Sequence, residues 1–91
     1  MHAVVVNVNI TDFERARQGL HEQTVPAVSE APGFVAGYWT RSEDNRGSGM
    51  AVFESEDAAR AVAERLQSEG PPDPDAVTIE SVEVREVVAH A

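Results

Sequence analysis

Few residues in this chain have types and spacing suited to chemistry. Asn7 and Asn9 interrupt the run Val4-Val5-Val6-Asn7-Val8-Asn9-Ile10. Asparagine is depleted in strands and a buried amide without partners is costly. A pair of them there reads as neutral hydrogen-bond donors lining the cavity between sheets. A second reading places Asn9 at the strand end beside a helix cap and has Asn7 bonding across an interface between two copies. Tyr38 and Trp39 are the only Tyr and Trp in the chain. As neighbours in a strand they point to opposite faces, so one packs under helices and the other faces the space between sheets. Gly37, two residues before Trp39, leaves room beside the indole and favours Trp39 as a cavity wall. His21 is a candidate general base by residue type, although its place at the edge of a helical stripe also fits a solvent-facing histidine. Arg41 and Arg46 flank a predicted hairpin turn, where Arg41 could steer an anionic ligand; beside Glu43 and Asp44 they also read as surface charge pairs.

Other chemistries are excluded. With Cys 0 there is no thiolate nucleophile, disulfide framework or thiolate zinc site. The three His share no ligand spacing, so no metal site is expected. Gly47-Ser48-Gly49 lacks a third glycine and leads into a predicted strand, which is not a nucleotide fingerprint. Ser29, Ser48, Ser55 and Ser81 have no context that would activate a hydroxyl. The acidic groups at Glu54-Glu56-Asp57 and Asp73-Asp75 do not match a calcium loop and read as a cap and a solvated loop.

The elements that must position these residues follow from the apolar period. Val4, Val6, Val8 and Ile10 alternate along a first strand, His2 to Ile10. Thr11-Asp12-Phe13-Glu14 fits a capping box, and Phe13, Ala16, Leu20, Thr24, Ala27, Val28 and Ala31 mark the buried stripe of a helix. Pro26 should kink that helix or begin a separate final turn. Phe34 to Ser42 read as a second strand, the polar stretch Glu43 to Gly49 as a turn, and Met50 to Glu54 as a third strand. Ser55 caps a second helix that buries Ala58, Ala59, Val62 and Leu66. Gly70-Pro71-Pro72-Asp73-Pro74-Asp75 forms a loop, and Val77 to Val88 a last strand with a bulge near Glu80 or Ser81. The order β-α-β-β-α-β predicts a ferredoxin-like α+β fold. Its four-stranded antiparallel sheet has order 4-1-3-2, with both helices on one face.

At 91 residues the chain holds one domain, residues 1–91, and its core is small enough that a partner chain would help. The formal net charge of −9 argues against nucleic acid and anionic membrane as partners. The first residues lack a basic region and a long apolar run, so a cytoplasmic protein is expected. Two helices cover only one face of the sheet. The other face holds Ala3, Val5, Asn7 and Asn9, with either Phe34, Ala36 and Tyr38 or Val35, Gly37 and Trp39. A wet face of that kind is unusual, so a homodimer with its sheets face to face is expected.

The segment Ala31-Pro32-Gly33-Phe34-Val35-Ala36-Gly37-Tyr38-Trp39 resembles the start of the second strand in the antibiotic-biosynthesis-monooxygenase-like family of dimeric α+β barrels. Phe53-Glu54-Ser55-Glu56-Asp57-Ala58-Ala59 is similar to its strand-to-helix junction, and Ser81 to Ala89 to its closing strand. The resemblance implies a dimeric barrel. Its activities include cofactor-free oxygenation of phenols, haem degradation and isomerisation, and some members have no known activity. Haem-degrading relatives carry an iron-ligating His on or near the second helix, and Ala58 to Glu69 contains none. The expectation is a homodimer that binds a small apolar or aromatic molecule without a cofactor. As a monooxygenase it would use Asn7 and Trp39 to position and stabilise and His21 as base, with Val5, Asn9, Gly37, Tyr38 and Arg41 contacting substrate. A non-catalytic ligand-binding homodimer is the alternative.

Overall fold

A computed structural model describes residues 1–91, beginning with β1 (His2–Ile10), α1 (Phe13–Gly19), a π-helical turn (Leu20–Thr24) and α2 (Val25–Ser29). There follow β2 (Phe34–Arg41), β3 (Arg46–Phe53), α3 (Glu56–Glu69) and β4 (Val77–Glu86). The strands form one antiparallel sheet in the order β2-β3-β1-β4. This is the expected ferredoxin-like order read from the other edge. No helix is long and apolar enough to cross a membrane.

Strand register sorts the side chains into rows. Toward the helices run Gly37–Ala51–Val4–Val84, then Trp39–Gly49–Val6–Val82, then Arg41–Gly47–Val8–Ile79. The outer face carries Ala36–Val52–Ala3–Arg85, Tyr38–Met50–Val5–Glu83 and Thr40–Ser48–Asn7–Ser81. Between β1 and β4 the register shifts after Asn7, with Ser81 opposite Asn7 and Ile79 opposite Val8. The extra residue, Glu80, is the expected bulge. It keeps both Ile79 and Val82 on the apolar face.

The tightest packing lies where β1 begins and β3 ends. Phe53 is fully buried and meets Phe34 edge-on, with ring centroids 6.0 Å apart at 73°. Val4, Ala51, Ala59 and Ala63 complete this cluster. Ala59 and Ala63 are four apart on α3, so a smooth strip of helix lies close against the sheet. Ser55 caps α3 as expected, accepting from the Ala58 N–H at 3.1 Å. Gly70, at φ 74°, ends the helix in a conformation that favours glycine.

Three boundaries differ from expectation. Asp12 rather than Thr11 caps α1, accepting from the Arg15 N–H at 3.2 Å. The helix begins at Phe13, so Thr11 lies one position too early, and its hydroxyl donates to Asp75 O at 2.7 Å. β3 begins at Arg46 rather than Met50, because Gly47, Ser48 and Gly49 pair with β1 on one side and β2 on the other. The turn shrinks to the residues before Arg46, with Asn45 at φ 61° and Ser42 N–H bonded to Arg46 O. β4 ends at Glu86 rather than Val88. Pro26 has its expected effect in a particular form. The Val25 N–H bonds back to Leu20 O, a five-residue step, and Pro26 opens α2 where no intrahelical donor is needed.

Candidate functional site

Away from the phenylalanines, the space between sheet and helices is hollow. An inner lobe of about 120 Å³ is walled by Val6, Val8, Ile10, Leu20, Val77 and Ile79. It joins an outer lobe of about 430 Å³ that adds Val28, Gln23, Arg65 and Glu69. Val6, Thr24, Trp39, Gly49, Leu66, Pro71 and Pro72 line both lobes and form the neck between them.

Glycine makes this space. Where the packed half has Phe53 and Ala51 on β3, the hollow half has Gly49 and Gly47. The Trp39 indole lies flat across the vacated backbone. A Cβ at Gly49 would stand 2.7 Å from Trp39 Cδ1, and one at Gly37 would stand 2.8 Å from Trp39 Cη2. Any larger residue at either position pushes the ring into the cleft, so the two glycines set the height of its aromatic wall.

The cleft has few polar groups. Thr40 belongs to the outer-face row, where its Oγ1 donates to Ser48 O at 3.0 Å, and within the outer lobe Arg65 pairs with Glu69 at 3.7 Å. Thr24 Oγ1 makes no capping bond. A helical threonine ordinarily bonds back to the carbonyl four residues earlier. Here the Thr24 hydroxyl makes no such bond to Leu20 O, which accepts the Val25 N–H of the π turn. No fully buried side-chain nitrogen or oxygen lacks a partner. The Thr24 hydroxyl and the Trp39 indole N–H, neither in a side-chain hydrogen bond within the chain, are therefore not fully enclosed, and both residues line the neck.

The residues singled out from sequence divide between the two faces of the sheet. Trp39 lines the cleft with Gly37 beneath its ring on the helix side, so Tyr38 and not Trp39 faces away from the helices, toward the space expected between sheets. Asn7 does not line the cleft: it lies on the outer face, where Asn7 Nδ2 donates to Ser81 Oγ at 3.0 Å. Asn7 and Trp39 therefore cannot act on one ligand within this cleft. The reason is parity, since Trp39 stands in the row of Val6, one residue from Asn7. Val5, buried, and Asn9, exposed, share the outer face, as does Tyr38, which is 71% exposed. His21 is exposed and lines a shallow surface depression with Glu14, Arg15, Arg17, Gln18 and Glu22. It points away from the cleft because it is one residue, about 100°, past Leu20. Arg41 stacks on Phe13, its guanidinium carbon 3.6 Å from the ring centroid, and braces the end of β2 against the first turn of α1.

Sequence reasoning missed Gly47 and Gly49, read as turn, and the wall made by Pro71 and Pro72, read as loop. Thr24 was placed in the buried stripe without a role. Its signal was the proline two residues later.

The four-stranded antiparallel sheet with its helices on one face is a ferredoxin-like fold that recurs among solved structures. Among solved structures, the chain resembles SnoaB from Streptomyces nogalater, described as a cofactor-independent oxygenase. Identity is 16% over 98% of this chain and 94% of that one, with a TM-score of 0.74. It resembles a dimeric ferredoxin-like protein from an uncultured marine organism at 14% identity, over 100% of this chain and 98% of that one, with a TM-score of 0.60. It also resembles MhuD, solved with two manganese protoporphyrin IX per active site, at 18% identity over 100% and 98% of the two chains, with a TM-score of 0.67. These likenesses establish the fold. No family model and no curated protein matches the chain. A haem held by histidine does not fit the residues present, because no imidazole lines either lobe and α3 carries no histidine.

Proposed function

We propose that the protein binds a small aromatic molecule in the two-lobed cleft and oxygenates it without a cofactor. The observation that carries this reading is the Trp39 ring, laid flat as one wall of a space whose inner lobe is mainly aliphatic and whose neck holds the Trp39 and Thr24 side-chain donors. Such a site suits a planar, electron-rich ring bearing an oxygen substituent. Oxygenation of an anthrone-type substrate balances without an added reductant: the ring CH₂ becomes a carbonyl, one oxygen atom enters the product and the other leaves as water. Neutral donors beside the reacting ring stabilise charge as it develops on oxygen. Glu69, the one carboxylate lining either lobe, stands on the outer lobe, where it can receive the proton that activates the ring. SnoaB, a cofactor-independent oxygenase by description, supports this reading through its shared fold. The alternative is a ligand-binding protein without turnover.

Trp39 is the sole tryptophan, so its emission reports the cleft directly. Anthrone should quench that emission and drive oxygen uptake, and Trp39→Phe should remove the uptake while leaving the melting temperature within a few degrees. Quenching without uptake selects the non-catalytic alternative. No quenching removes both.

The outer face supports a homodimer. Ala3, Val5, Val52, Met50, Ala36 and Tyr38 form an apolar band across β1, β3 and β2, with Met50 44% exposed. Arg85 and Glu83 pair on β4 at its edge. A similar fold is described as a dimeric ferredoxin-like protein. Packed against a second copy, this face would enclose the Asn7–Ser81 bond. Sedimentation should give a dimer at micromolar concentration and a monomer for Met50→Glu; a wild-type monomer would remove the assembly and leave the cleft reading untouched.

A further inference from the structure

We infer that Thr24 is a specificity residue, setting the cleft's preference for oxygen-bearing over purely hydrocarbon rings; this rests on the cleft being the ligand site. Two observations place an oxygen at the neck. First, the Thr24 hydroxyl, at the end of the π turn that precedes Pro26, makes no capping bond to the backbone, and Thr24 lines both lobes. Second, Gly37 and Gly49 fix the Trp39 indole flat against the sheet, and its N–H edge lies over Gly49 on the same neck. The remaining neck side chains, Val6, Leu66, Pro71 and Pro72, are aliphatic, and the two prolines lack backbone donors. A hydrocarbon seated there leaves both donors facing apolar surface. A phenol or ketone oxygen offers the Thr24 hydroxyl an acceptor that a hydrocarbon lacks, and discrimination is strong when the site's own polar groups would otherwise go unpaired.

The lobe sizes fix where on the ligand that oxygen must be. The inner lobe, at about 120 Å³, is close to the roughly 150 Å³ of an aliphatic cavity that holds one benzene ring. The ligand therefore inserts a single terminal ring among Val8, Ile10 and Ile79, and carries its oxygen next to that ring, at the neck.

Equilibrium dialysis with 1-naphthol and naphthalene tests this on the whole chain. The wild type should bind 1-naphthol about fivefold to tenfold more tightly than naphthalene, the gain expected of one or two hydrogen bonds. Thr24→Val, which keeps the shape and loses the hydroxyl, should lower 1-naphthol affinity severalfold and leave naphthalene unchanged. Thr24→Ser should keep the preference. A structural role for Thr24 would instead weaken both probes together under Thr24→Val, and that result overturns the assignment. Equal binding of the two probes by the wild type also overturns it, with the cleft reading intact. Binding of neither probe removes the cleft reading and this inference with it.

Discussion

The two halves of the space between sheet and helices are built from the same strands and differ in what β3 contributes. At one end, Phe53 fills the layer completely and Phe34, Ala59 and Ala63 close around it. At the other, β3 offers Gly49 and Gly47, the rows beside them are aliphatic, and the indole of Trp39 lies down where a side chain would have stood. One half carries stability and the other gives up packing to hold a ligand. In a chain of 91 residues both cannot be large, and the hollow half is bounded by rigid pieces: a π turn, a pair of prolines and a ring resting on glycine.

The largest effect should come from the packed half. Phe53→Ala removes the one large side chain that is fully buried and should cost about 3–5 kcal/mol. Against the roughly 5–15 kcal/mol typical of a folded domain, this is a severe loss. Urea titration should show a midpoint far below the wild-type value. A loss under about 1 kcal/mol would mean the Phe34–Phe53 cluster is not the stabilising centre.

Gly49→Ala should do the opposite. Its Cβ meets Trp39 Cδ1 at 2.7 Å, so the indole must lift into the cleft. Because there is empty space to receive it, the stability cost should stay near the low end for overpacking, about 1 kcal/mol. Anthrone affinity should nevertheless fall by about tenfold or more, with a shift in Trp39 emission. If stability fell by several kcal/mol and binding held, the glycines would belong to the packed core and the contrast between the halves would disappear.

This contrast also explains what could be read from sequence. Period-two alternation in β1 and helical spacing around Ala59 are local signals, and they gave the strand order, the Ser55 cap and the bulge at Glu80. The face of Trp39 is not a local signal. Phe34 and Trp39 are five residues apart and would lie on opposite faces of a regular strand. The register irregularity between Phe34 and Ala36 puts both on the helix side. The same arithmetic placed Asn7 away from the cleft, because the row of Trp39 is fixed only when β2, β3 and β1 are paired. Gly47-Ser48-Gly49 looks like turn composition, and nothing in one sequence tells a glycine that ends a strand from one that makes room above it.

The roof of the hollow half offers a finer test. Pro71 and Pro72 line both lobes, and Arg15 on α1 holds the next residue, Asp73, at 2.7 Å. Asp73 also accepts the Asp75 N–H, so its own replacement would disturb the turn as well as the ion pair. Arg15→Gln is therefore the cleaner change. The pair is largely exposed on the arginine side, and such pairs contribute about 0–1 kcal/mol, so thermal stability should fall by no more than this. The kinetic effect distinguishes two ways of holding the roof. If proline stiffness holds it, Arg15→Gln and 0.5 M salt should each leave the anthrone dissociation rate within about twofold of wild type, since two fixed φ angles need no latch. If the ion pair holds it, both treatments should speed dissociation alike, and salt should add nothing to the variant. The first outcome is expected, because Thr11 bonds to Asp75 O and the Thr11 and Asp12 N–H groups to Ala76 O, tying down the same loop without the arginine.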